Sequence, residues 1–418
     1  MAHEQPTKVL VVAFTGDAAA AVAVINRLQP EALCFVLPEP AKTLVESGVQ
    51  PHIERMPRRW DWLTLADTLD VTASHRVLAG ALPDLLKSWD VHPGDLVLDL
   101  TGASPAMAGA LILATLPTSS RTVALLPWIE GQEGEPIAVG GRSMRWVQGN
   151  LWDDVALVSR HEAADLFNRG MYSAAEKWFR EIETKVSGGQ KPTYRAFADL
   201  AEGYEFWERF HYRQAWDKLK TATKALEMAS LWGGPPGLSA ALPAIKANAS
   251  FLEKLVLDPA AVKDALALDL LAHAGRRQRA GHDPEAAMLV LMRALESFAQ
   301  RQLFKQHKIK TWDVQPEQLP QAFHDLCRLS WLDDLDGKYK IPLQGQFRLL
   351  AGLGDPLGQA FLREWPIMKP LLDAANHGVF GHGFEPVKSE RVQQLSDVVL
   401  KLTGVSESSL PKFPTLAL

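Results

Sequence analysis

Lys8-Val-Leu-Val-Val-Ala-Phe14, followed at once by Thr15-Gly16-Asp17, decides the fold class of this chain. From Val9 the run is unbroken, apolar and rich in valine, the pattern of a strand buried on both faces. Thr-Gly-Asp stops it, and helical spacing takes over from Ala18 to Leu28. Ala32-Leu-Cys-Phe-Val-Leu37 repeats the strand pattern and Pro38 ends it. Asp95-Leu-Val-Leu-Asp-Leu100 opens a second unit, with a turn at Thr101, an Ala/Leu-rich helix to Leu116 and a further strand at Arg121-Thr-Val-Ala-Leu-Leu126. Strands alternating with helices predict a parallel, Rossmann-like α/β domain over residues 1–150.

Sheets of this kind bind ligands beyond the carboxyl ends of their strands. Thr15, Gly16 and Asp17 fall there, as do Thr101, Gly102, Ala103 and Ser104. Each loop sets small residues, hydroxyls and backbone N–H groups at a helix N-terminus, which suits a phosphate. Each also reads as a plain helix cap. No G-x-G-x-x-G or Walker pattern occurs, so neither NAD nor ATP is indicated.

The 418 residues are too many for one ordinary core, so two or three domains are expected. Apolar residues make up 47% and charged residues 22%, ordinary for a globular protein. A formal charge of −5 gives no global attraction to nucleic acid. Cys34 and Cys327 form no spaced pair, which excludes a disulfide framework and a cysteine-based zinc cluster. Met1-Ala-His-Glu-Gln-Pro-Thr-Lys8 lacks a signal pattern, and the apolar run around Ala106 to Leu116 is too short to span a bilayer. A cytoplasmic protein without a membrane partner is the expectation.

From about Leu151 helical spacing dominates. Gly170, Tyr172, Ala175 and Phe179 make a helix-turn-helix pattern, and Tyr212 and Ala215 stand 40 residues after Tyr172 and Ala175. Two readings fit: a short repeat of paired helices, or an irregular bundle with chance spacing. Ser187–Pro192 and Trp232–Gly237 read as loops. The last domain is expected from residue 263. Its long helices break near Gly281-His282, where Asp283 caps a helix that starts with Pro284. Between Ala272 and Trp312 eight Lys or Arg face three acids, which reads as an RNA-facing surface or as a solvated helix face. Pro366 and Pro370 predict that any helix carrying Asn376 starts near Pro370.

Two segments carry a family resemblance. Asp99-Leu-Thr-Gly-Ala-Ser-Pro-Ala-Met107 and the loop Val-Val-Ala-Phe-Thr-Gly-Asp17 resemble the ligand loops of CARF domains, with Ala103 for a glycine and Pro105 for a lysine. Ala375-Asn-His-Gly-Val-Phe-Gly-His382-Gly resembles the Arg-x4–6-His signature of HEPN ribonucleases, with Ala375 at the arginine position. Asn150-Leu-Trp-Asp-Asp154 and Arg293-Ala-Leu-Glu296 add to the likeness to CRISPR-associated CARF–HEPN proteins. The resemblance implies a sensor domain at 1–150, a helical linker with TPR-like units at 151–262 and a HEPN-like domain at 263–418. It implies cyclic oligoadenylate, tetra- or hexa-adenylate, as the activating ligand across a homodimer, with single-stranded RNA as substrate and no metal or other cofactor. Thr15, Gly16, Asp17, Thr101, Gly102, Ala103 and Ser104 become ligand candidates. His382 is the implied proton-transfer group and Asn376 the implied orienting group; Ala375 marks the missing cation. Histidine can exchange a proton near neutrality. The absent arginine would have stabilised charge on the phosphoryl oxygens. The resemblance therefore implies an endoribonuclease weakened or silenced by Ala375, or a non-catalytic regulator that uses the HEPN-like domain for dimerisation or partner binding. Ala375 fits a naturally degenerate site and a deliberate substitution equally.

Overall fold

The computed structural model describes residues 7–118, 120–131, 135–258, 262–279 and 283–418. The expected break at Gly281 and His282 lies outside these residues, as do residues 1–6, part of the stretch read for a signal pattern. By its contacts the chain divides into two compact units, 1–162 with 178–195, and 163–177 with 196–418.

The first unit is built on a seven-stranded sheet. Its elements run β1 (Val9–Ala13), α1 (Ala18–Leu28), β2 (Ala32–Pro38), the short α2 (Lys42–Leu44), β3 (Arg59–Leu65), α3 (Val71–Ser88), β4 (Leu96–Asp99), α4 (Pro105–Thr115), β5 (Ser120–Pro127), β6 (Ile137–Val139) and β7 (Arg142–Asn150). The order is β3-β2-β1-β4-β5-β7-β6. The first five strands are parallel, with Val9 beside Ala32 on one side and Leu96 on the other. The chain starts in the middle, winds outward to β3 and returns to β4. The winding therefore reverses between β1 and β4, and a crevice opens there at the strands' carboxyl ends. Alternate residues feed two cores. Leu10, Val12, Leu33 and Phe35 pack with Val24 and Ile25 of α1. Val9, Val11, Cys34 and Val36 pack with Leu78 of α3 and Met107 of α4. The sheet is not parallel throughout, because β7 and β6 add antiparallel at one edge.

The remaining helices are α5 (Trp152–Asn168), α6 (Tyr172–Lys185), α7 (Lys191–Glu208), α8 (Tyr212–Leu231), α9 (Leu238–Leu257), α10 (Val262–Arg279), α11 (Pro284–His307), α12 (His324–Ser330), α13 (Leu343–Gly352), α14 (Pro356–Asn376) and α15 (Ser389–Thr403). At the 40-residue spacing two turns share their geometry. The turn before α6 has Gly170 at φ +77°, and the turn before α8 has Phe210 at φ +60°. Met171 N–H bonds the Leu166 carbonyl and His211 N–H bonds the Phe206 carbonyl, both at 2.9 Å. Both are αL helix ends of the same kind.

Helices α10, α11 and α13–α15 share one core that includes Leu291, Phe298, Phe347, Phe361, Leu371 and Leu395. Phe347 stacks on Phe361 at 4.0 Å, which is worth about 0.5–1.5 kcal/mol beyond burial. Asp283 caps α11 through the Ala286 N–H at 3.0 Å, as the Asp-Pro pair predicts. The expected start near Pro370 is wrong: α14 begins at Pro356 and runs through both prolines. Pro366 and Pro370 lie four residues apart on the exposed face, so the carbonyls they leave unpaired reach solvent. Phe361, Met368 and Leu372 hold the opposite face in the core.

Candidate functional site

The crevice between β1 and β4 brings two of the predicted loops together. The Thr15 hydroxyl donates to the Gly102 carbonyl at 2.8 Å. A Cβ on Gly102 would lie 2.7 Å from the Ala13 carbonyl oxygen, so this approach requires glycine. Asp17 caps α1 through the Ala20 N–H at 3.1 Å and pairs with Arg142 of β7 at 2.6 Å. Ser104 caps α4 through the Met107 N–H at 3.1 Å and donates to the Thr68 carbonyl. Pro105 takes the first position of α4, where its missing N–H costs nothing. Ala103 N–H closes the turn onto Leu100 at 3.2 Å.

Thr101 is held inward. Its hydroxyl donates to Asp99 at 2.5 Å and accepts the Leu125 N–H at 2.9 Å. Asp99 is 1% exposed, and one of its carboxyl oxygens has no hydrogen-bond partner among the described residues. Burial pushes its pKa up to about 6 against two hydrogen bonds from Thr101 that favour the charged form. The hydroxyls of Thr15, Thr101 and Ser104 are thus engaged within the chain. What the crevice offers a ligand is backbone N–H groups at two helix N-termini, with Arg142 beside them. Arg142 escaped the sequence reading because it comes from the edge hairpin, 125 residues after Asp17. No signal short of the fold links the two.

The HEPN-like motif sits where α14 ends. The chain after Asn376 turns back over the open helix end, and three carbonyls that a helix leaves bare are covered. Gly378 N–H bonds the Ala375 carbonyl at 3.2 Å, His382 N–H bonds that of Asn376 at 2.7 Å, and Glu385 N–H bonds that of His377 at 3.3 Å. Gly381 and Gly383 lie so close to this end that a Cβ would stand 2.4 Å and 2.0 Å from the Ala375 and His377 oxygens. Glu285, in the first turn of α11, accepts the Val387 N–H at 2.6 Å and secures the returning chain. The sequence reading did not mark Glu285.

Asn376, His377 and His382 are exposed, and no hydrogen bond to another described residue engages their side chains. Ala375 differs: it is 2% exposed and belongs to the core. Val379, Phe380 and Phe384 stand exposed around His382, Phe384 at 96%.

The basic stretch is largely neutralised by acids outside the window in which it was counted. Arg276 pairs with Glu208 at 2.5 Å and lies 3.5 Å from Asp269. Arg301 and Lys305 share Asp264 at 2.6 and 2.7 Å, and Arg279 faces Glu407 at 3.7 Å. Arg277 bonds His273 at 3.2 Å. Among the described residues no group of three or more His, Cys, Asp or Glu is placed to hold a metal ion. No helix among them is long and apolar enough to cross a membrane.

Residues 155–252 match the family model described as the Csm6 6H domain, and residues 261–406 match the Csm6 HEPN domain. No curated protein matches the chain. Among solved structures it is similar to Enterococcus italicus Csm6 bound to cyclic hexa-2'-fluoro-hexa-dAMP, at 11% identity and a TM-score of 0.60 over 96% of each chain. Can2 from Sulfobacillus thermosulfidooxidans, in complex with cyclic tetra-adenylate, matches at 12% identity over 73% of this chain and 71% of its own, with a TM-score of 0.25. The two matched domains cover more than half of the chain and follow a Rossmann-like sheet, and the chain belongs to the CRISPR-associated CARF–HEPN family.

Proposed function

We propose that this protein is a cyclic-oligoadenylate sensor joined to a metal-independent HEPN-type endoribonuclease that Ala375 weakens. Residues 1–150 are the sensor, 151–262 the helical linker and 263–418 the nuclease-like domain. The observation that supports this most is the crevice at the β1/β4 reversal. Two helix N-termini converge there, and Thr15, Gly16, Asp17, Thr101, Gly102, Ala103 and Ser104 all lie on its two loops. A neighbour of the same fold is bound to a cyclic hexanucleotide analogue.

In the cleavage step the RNA 2′-hydroxyl attacks the adjacent phosphorus and the 5′-oxygen leaves. His382 moves the proton, Asn376 orients the phosphate, and a cyclic phosphate remains on the upstream fragment. Asn376 and His382 are exposed, and their side chains bond no other described residue, as groups awaiting substrate would. The apolar side chains around them suit burial against a second copy, which would pair two motifs into one site. Ligand then favours the dimer geometry in which the motifs align.

Burial of Ala375 favours a second reading, a regulator whose HEPN-like domain serves dimerisation or partner binding. Binding of labelled cyclic tetra- and hexa-adenylate, with linear adenylate as control, tests the sensor. Ring-selective binding is expected, and equal or absent binding overturns it. RNA cleavage by Ala375→Arg then separates the two readings.

A further inference from the structure

Residues 411–418 have no secondary structure and lie extended across the helical layer. The Asn168 side chain, at the end of α5, clasps the backbone of Leu416 from both sides. Its amide donates to the Leu416 carbonyl and its oxygen accepts the Leu416 N–H, each at 2.8 Å. Asn248 of α9 donates to the Lys412 carbonyl at 3.0 Å and to the Tyr204 hydroxyl at 2.9 Å. The Ala417 carbonyl lies against Gly237, where any side chain would collide.

Side chains alternate along the segment. Pro414, Leu416 and Leu418 are buried, while Thr415 and Ala417 are exposed. Phe413 enters an aromatic cage, 4.5 Å from Tyr204, 4.8 Å from Trp207 and 6.0 Å from Tyr172 between ring centres. The Arg276 guanidinium of α10 covers it at 3.9 Å.

This arrangement has the features of extended-peptide recognition. Side-chain amides read the main chain and alternate pockets read the side chains. Among the described residues, no hydrogen bond joins the segment to itself beyond Pro411. We propose that the helical face carrying Asn168, Tyr204, Trp207, Gly237 and Asn248 is a peptide-binding groove, and that its occupant is the chain's own segment Phe413-Pro-Thr-Leu-Ala-Leu418. Bound in cis, the segment straps α15, which precedes it, to the turn at Asn168 and to Arg276 of α10. The groove selects an aromatic-proline pair followed by leucines at alternate positions. This holds whether or not the chain senses a nucleotide or cleaves RNA.

The test uses the full chain with a protease site inserted after Ser409, in the exposed stretch 406–409. After folding and cleavage, the fragment should stay bound through gel filtration. Excess synthetic peptide of residues 410–418 should displace it while circular dichroism stays native. Peptide with Phe413→Ala should compete about tenfold more weakly, the loss of a caged aromatic contact. Asn168→Ala in the protein should speed release about tenfold, the loss of two hydrogen bonds. A fragment that leaves only on global unfolding would make the segment part of the core and overturn the groove. A fragment lost on cutting, with no change in melting temperature, would overturn the strap.

Discussion

Ala375 carries a methyl group where the family resemblance implies a guanidinium. Restoring arginine should raise cleavage of a fluorescent single-stranded RNA by roughly 10²–10³, the usual worth of one transition-state donor. It should also lower the melting temperature, because the side chain leaves a core position. A flat rate with ligand binding intact would favour the regulator. Arg142 faces a different demand: without it the Asp17 carboxylate stands uncompensated at the proposed ligand loop. Arg142→Ala should weaken cyclic-oligoadenylate binding by about tenfold, the scale of one charge-assisted hydrogen bond. Two buried groups titrate in opposite senses. Asp99 has its pKa raised from 3.8 to about 6, so its contribution to stability is full below 3.8 and is lost as pH rises through 6. Burial, then Arg276 and Arg277, lowers His273 from 6.5 to about 3, so its contribution is full above 6.5 and is lost as pH falls toward 3. Melting curves of Asp99→Asn should therefore gain on the parent chain at pH 7 and converge with it near pH 4.

At the scale of the element, legibility followed burial. β1, β2, β4 and β5 are interior strands of the sheet, and their apolar runs announced them. β3 is an edge strand, Arg59-Trp-Asp-Trp-Leu-Thr-Leu65, partly exposed along most of its length, and it gave no such run. The β6–β7 hairpin turns on Gly140 and Gly141, both at positive φ, and β7 is rich in Arg, Ser and Gln. β3 and β6 are the sheet's two edges, and the polar β7 lies one strand in; strands so short or polar leave little period for the eye to find. The candidate loops were readable because strand ends and helix caps share a local grammar; Arg142, Thr68 and Glu285 were not, since only the tertiary fold brings them near. Helix α14 misled for another reason. Proline's local penalty was outweighed by packing of the opposite face. Pro366→Ala should restore a backbone bond and stabilise the protein by about 1–3 kcal/mol in urea titration, within proline's cost in a helix interior.

For the whole molecule, the proposed dimer makes a clear demand on the exposed aromatics near His382. Phe380→Glu with Phe384→Glu should lower the mass seen by sedimentation, and in the Ala375→Arg background should abolish cleavage without touching the crevice between β1 and β4. An unchanged mass would place the contact elsewhere. The turned-back chain after α14 also supplies a clock for such experiments. His382 exposes its ring to water while its amide hydrogen is tied to the Asn376 carbonyl. In heavy water that amide should exchange slowly, as should those of Gly378 and Glu385, although the ring beside it is wet. Its protection reports, molecule by molecule, how often the motif is assembled, and it does so with no RNA, no ligand and no turnover in the tube.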